Sequence, residues 1–174
     1  MIPLSTAASS RFTWSDLPRH QGSQLKYGEE VVGTLCRPSA WSFRFEATTP
    51  DGKWAFRRCG FFRTEIVDST TQQQIATFTP GWGGRGRLAF ADGQTFLVSC
   101  KGVWRPIWTV ASENGEPVLS LHKHEKFVEL TESSVHVSNT RDPRLSLLIM
   151  FTLYRIRQAE EDAATAVVVS VIAG

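Results

Sequence analysis

Polar and apolar residues alternate in short runs along most of this chain, and each run stops at a turn signal. Trp41-Ser42-Phe43-Arg44-Phe45 and Val135-His136-Val137 send successive side chains to opposite faces, the period of a half-buried β-strand. Comparable runs occupy Gln24–Tyr27, Glu30–Cys36, Trp41–Thr48, Trp54–Cys59, Phe61–Val67 and Ile75–Thr79. Further runs lie at Arg87–Phe90, Phe96–Cys100, Trp108–Ala111, Val118–Leu121, Phe127–Leu130 and Val135–Val137. They are rich in Val, Phe, Trp and Thr, which suit a pleated surface. Asp51-Gly52, Asp92-Gly93 and Asn114-Gly115 fall between runs, and such pairs supply the positive φ of a two-residue hairpin turn. Tyr27-Gly28-Glu29 and Asp68-Ser69-Thr70-Thr71-Gln72 sit where further turns are due. The pattern predicts about twelve antiparallel strands, and a sheet of that size tends to close or split. Closure also removes the edges that invite aggregation.

The pattern changes at Asp142. Asp142 can cap a helix, and Pro143 fits a first turn that needs no backbone N–H. The residues that follow are apolar almost all the way round: Leu145, Leu147, Leu148, Ile149, Met150, Phe151, Leu153, Tyr154 and Ile156. A surface helix is apolar along one stripe only, so this one must be enclosed. The fold class predicted is mainly β: a closed antiparallel barrel around a central hydrophobic C-terminal helix at about residues 143–157, with Leu145, Leu147, Leu148, Ile149, Phe151, Leu153 and Tyr154 as its core. Burying nine such side chains is worth roughly 15–25 kcal/mol before chain entropy is counted. A further helical segment is expected at about 160–172, either a second helix or a continuation of the first. Residues 1–10 read as a flexible lead-in, and 11–174 as one domain.

The apolar runs 145–154 and 163–173 are each shorter than the ~20 residues of a membrane-spanning helix. Between them stand Arg155, Arg157, Glu160, Glu161 and Asp162, so no transmembrane span is expected. A net charge of +2 is too small to mark a nucleic-acid binder. Cys36, Cys59 and Cys100 are odd in number and widely spaced, which argues for free thiols in a reducing compartment.

Candidate chemistry is sparse. Gly81-Trp82-Gly83-Gly84-Arg85-Gly86-Arg87 can turn backbone N–H groups toward an anion, with Arg85 and Arg87 as clamps. It lacks the Gly-Lys-Ser/Thr of a P-loop, and a hairpin connection is the plainer reading. Arg57, Arg58 and Arg63, with Lys53, lie on adjacent predicted strands. Together with Arg85, Arg87, Lys101 and Arg105 they are candidates for one basic exterior patch. Such a patch attracts anionic lipid at ~1 kcal/mol per basic residue, with Trp82 or Trp104 suited to the interface. His122 and His124, with Glu125 or Glu129, fall short of a metal ligand set. No nucleophile–base pair or carboxylate pair stands out.

Twelve strands followed by one hydrophobic helix resembles the Tubby C-terminal-like superfamily, which includes the Tubby proteins, phospholipid scramblases and LURP-one-related proteins. The resemblance is nearest to its small bacterial members of unknown function. It rests on Asp51-Gly52-Lys53-Trp54-Ala55-Phe56-Arg57-Arg58-Cys59-Gly60-Phe61, Ile75-Ala76-Thr77-Phe78 and Gly86-Arg87-Leu88-Ala89-Phe90-Ala91-Asp92-Gly93, then on Trp104–Trp108 and the helix Leu145–Tyr154. It covers about residues 24–160. It implies a helix running through the barrel and, from Tubby domains, phosphoinositide head groups bound by basic exterior residues; no individual Tubby lipid-binding residue is carried over onto this chain. The function expected is a non-catalytic, cytoplasmic barrel. It would meet an anionic phospholipid surface peripherally, or a protein partner, through Arg57, Arg58, Arg63, Arg85, Arg87 and Arg105. The alternative is a small-ligand-binding or enzymatic barrel with a pocket at its mouth. No cofactor, metal or nucleic acid is expected.

Overall fold

The computed structural model describes residues 12–17, 22–39, 42–60, 63–102, 106–122, 133–137 and 142–172. Among them are β1 (Phe12–Asp16), β2 (Gly22–Tyr27), β3 (Glu30–Cys36), β4 (Arg44–Thr49), β5 (Gly52–Cys59) and β6 (Arg63–Asp68). There follow β7 (Gln74–Pro80), β8 (Arg85–Phe90), β9 (Thr95–Lys101), β10 (Ile107–Ser112), β11 (Pro117–His122) and β12 (Ser133–Val137), then one helix, α1 (Leu145–Ile172). Each strand pairs antiparallel with its neighbours in the chain. β1 pairs with both β2 and β12, so the sheet returns on itself as a closed barrel.

Asp92-Gly93 and Asn114-Gly115 fall between strands as expected, at 91–94 and 113–116, whereas the turn after β4 is Pro50-Asp51 and Gly52 opens β5. β1 is an element the alternation reading passed over, although Phe12 and Trp14 both point into the core. The lead-in, residues 1–10, and the expected strand Phe127–Leu130 lie outside the described residues.

The helix fills the ring. Leu145, Leu147, Leu148, Ile149, Phe151, Leu153 and Tyr154 are all buried, as are Met150 and Ile156. Phe151 packs on Phe56 and Phe78 with ring centres 5.8 and 5.2 Å apart. Tyr154 meets Phe45 at 5.5 Å and Phe56 at 5.0 Å. Gly33 lets β3 approach the helix, since a Cβ there would lie 3.3 Å from the Met150 sulfur.

One boundary differs from expectation. Asp142 does accept a backbone N–H, from Arg144 at 2.8 Å, but the residues it caps form a turn, and the helix proper begins at Leu145. Of the two alternatives for 160–172, the structure has the continuation: one unbroken helix of 28 residues. Only its first half, Leu145 to Gln158 or about 21 Å, fills the barrel. From Ala159 to Thr165 the side chains are exposed, apart from half-buried Glu160. Among the described residues no helix is long and apolar enough to cross a membrane.

Antiparallel pairing sorts the connections to two ends. At the base lie the turns after β2, β4, β6, β8 and β10, together with the start of α1. At the mouth lie the connections after β1, β3, β5, β7, β9 and β11, and there the helix leaves the barrel.

Candidate functional site: the barrel mouth

Charge is unevenly divided between the ends. The base turns carry Glu29, Asp51, Asp68, Asp92, Glu113 and Glu116. The strand ends at the mouth carry Arg37, Arg44, Arg58, Arg63, Arg85 and Lys101, and the helix adds Arg155 and Arg157 as it emerges. Several of these cations have structural partners. Arg157 is buried; it donates to the Gly22 carbonyl at 3.0 Å and pairs with Asp16 at 3.4 Å and Glu160 at 3.3 Å. Arg37 pairs with Glu161 at 2.6 Å and Arg44 with Glu46 at 2.9 Å. Arg63, Arg85 and Lys101 make no ion pair among the described residues.

The emerging helix and the ends of β5, β6 and β7 enclose a cavity of about 230 Å³. Arg58, Arg63 and Arg155 line it, with Gln158 and one carboxylate, Asp162. Arg58 meets Asp162 at 3.5 Å, a pair exposed enough to be weak. Arg155 lies over the Phe78 ring at 4.7 Å and donates to Gln158 Oε1 at 2.5 Å. Its Nε is buried with no hydrogen-bond partner. Burial, above all, lowers its pKa, the Arg58 charge adds to this, and Tyr154 and Asp162 oppose it. A guanidinium still keeps its proton at neutral pH, so Arg155 presents a half-enclosed cation with donors to spare. Tyr154 beneath it holds its own proton more tightly, because it is buried; Thr64 lies 3.4 Å from its hydroxyl.

The structure divides the sequence candidates. Arg58 and Arg63 meet in the cavity. Arg57 lies on the outer wall, facing Glu65 across the ladder and donating to Gln72 at 3.2 Å. Arg85 opens β8 at the mouth rim, while Arg87 is engaged with Glu113 at 2.5 Å. The single exterior patch is therefore split between the mouth and the wall. Arg105, with Trp104, lies outside the described residues.

Sequence reasoning overlooked Arg155, Gln158 and Phe78. The signal was there: Arg155, Gln158 and Asp162 share one helical face by their spacing. Gly86, read as part of a loose loop, has a packing task, because a Cβ there would run into the Phe78 ring.

Other candidates gather no site. Among the described residues no three His, Cys, Asp or Glu side chains cluster as metal ligands; His124, Glu125 and Glu129 lie outside them. Cys36, Cys59 and Cys100 are free and half-buried, and burial is the first cause raising each thiol above 9.0. Comparison of the chain with protein-family models, curated proteins and solved structures finds no match.

Proposed function

We propose that this chain is a non-catalytic barrel of the Tubby C-terminal-like kind that binds an anionic phospholipid head group at its mouth. The observation that carries this reading is the convergence of Arg58, Arg63 and Arg155 on one cavity with a single carboxylate. Guanidinium groups match phosphate oxygens in pairs of hydrogen bonds, and a half-enclosed setting strengthens them. At about 230 Å³ the cavity is below the ~300–1,000 Å³ of drug-sized sites, so a head group suits it better than a whole metabolite. The ring of strands around a helix supports the family resemblance, but fold alone is a poor warrant for function. Binding rather than catalysis agrees with three thiols that stay protonated at neutral pH. Free thiols suit a reducing, cytoplasmic setting with peripheral membrane contact.

The second reading, a soluble anionic ligand at the same mouth, is favoured by the enclosure of Arg155. Co-sedimentation with neutral, phosphatidylserine and phosphoinositide vesicles at low and high salt separates the two. The head-group reading expects binding that needs anionic lipid, weakens with salt, and falls roughly ten- to thirtyfold in Arg63→Glu. Arg63 has no ion pair among the described residues, so the variant leaves the fold intact. Stabilisation by inorganic phosphate without vesicle binding favours the soluble ligand. Anionic-vesicle binding unchanged in Arg63→Glu and Arg58→Glu would remove the cavity from the account.

A further inference from the structure

The two most exposed large apolar side chains among the described residues are Trp82, 97% exposed, and Phe43, 83% exposed. Trp82 lies between β7 and β8, and Phe43 immediately precedes β4. Register places both connections at the mouth. In the ring order they flank β5, β6 and β7, whose ends form the arginine cavity. A lone exposed hydrophobe is ordinary. An indole and a phenyl on either side of an arginine cavity meet the two needs of an interfacial site, apolar anchors at head-group depth and cations against anionic lipid.

The helix leaves by the same end. Its last charged residue is Asp162, and Ala163 to Ile172 holds none, while the backbone stays helical. That stretch rises about 15 Å, half of the ~30 Å hydrocarbon core. A helix satisfies its own backbone hydrogen bonds, so lipid can accept it.

We propose that the barrel docks mouth-down on an anionic bilayer, with Trp82 and Phe43 seated among the head groups on either side of the arginine cavity. The α1 extension, Ala163 to Ile172, then enters the near leaflet. This inference rests on the head-group reading and adds the orientation in which that site meets the membrane.

The test mixes the full chain with neutral vesicles and with phosphatidylserine vesicles whose acyl chains carry bromine, a quencher of indole fluorescence. The wild-type background for this test carries Trp41→Phe and Trp104→Phe, so that of its remaining indoles Trp14, Trp54 and Trp108 are buried and Trp82 is open. Anionic vesicles are expected to quench this wild-type background, and Trp82→Phe to bind while losing most of that quenching. Trp82→Ser and Phe43→Ser should each partition about tenfold more weakly at an unchanged melting temperature. Equal quenching in wild type and Trp82→Phe, or undiminished binding of both serine variants, overturns the orientation and leaves the head-group reading standing. Vesicle binding with Trp82-dependent quenching that persists in Arg63→Glu does the reverse: docking stands and the cavity reading falls. No vesicle binding, with stabilisation by inorganic phosphate, overturns docking and leaves a soluble-anion site.

Discussion

The base and the mouth of the barrel use charge differently. At the base, carboxylates are tied into the turns that carry them. Asp68 accepts the Thr70 and Thr71 N–H groups at 2.7 and 2.9 Å, and Asp92 accepts that of Gln94 at 3.1 Å. Arg144 reaches Asp92 and Gln94 across the base and stacks on Phe90, fixing the start of the helix. At the mouth, helix carboxylates hold Arg37 and Arg58 while Arg157 holds Asp16, yet among the described residues Arg63, Arg85 and Arg155 make no ion pair. An unused cation is destabilising to keep near others of its sign, so its presence is easier to understand at a surface that meets anions.

The largest expected effect concerns the helix that joins the two ends. Phe151→Asp and Leu148→Glu each force a carboxylate into a fully buried position among aromatic and aliphatic side chains. The cost is about the whole stability of a small domain, ~5 kcal/mol or more. Insoluble protein, or protein with no cooperative melt, is expected. A soluble, cooperatively melting variant would contradict a barrel built around this helix.

The next effect sets one latch against the other. Arg157→Ala at the mouth removes a buried guanidinium from Asp16 and the Gly22 carbonyl, which keep the Ser23 hydroxyl and the Leu17 N–H, and should cost about 2 kcal/mol in urea unfolding. Arg144→Ala at the base removes a partly exposed pair with Asp92 and should cost no more than about 1 kcal/mol. Equal losses would erase the energetic difference between the ends.

A smaller effect belongs to the base alone. The Thr71 and Thr70 N–H groups hold the Asp68 carboxyl below its usual 3.8; the Gln94 N–H, then Arg144, do so for Asp92. A carboxylate with a lowered native pKa stabilises fully above its unfolded value, and that contribution is lost as pH falls through the native one. The urea midpoint should therefore decline in acid, progressively below about pH 5, and less steeply in Asp68→Asn with Asp92→Asn. The same slope in wild type and double variant would show that these turns do not set the acid response.

Much of the architecture was legible because it follows from local rules. β3 was placed at its observed limits, Glu30–Cys36, by alternation and the Gly28 turn. The helix core was read correctly because an all-round apolar stretch has few places to go. The site was legible only in part. Arg58 and Arg63 stood out as basic residues, but which arginines converge depends on strand register and on where the helix surfaces. Arg57 and Arg58 are adjacent in sequence and end on opposite sides of the barrel wall, because side chains alternate along a strand. Arg155 was counted as a charge between two apolar runs, and its role appears only once the helix is seen to continue unbroken past the rim.

The most direct test is backbone amide exchange of the full chain with and without anionic vesicles. The account predicts slowed exchange at the mouth, in the segments before β4 and between β7 and β8 and at the start of β6. The base turns at 28–29, 91–94 and 113–116 should be unchanged. Protection confined to the base, or spread evenly over both ends, would contradict it.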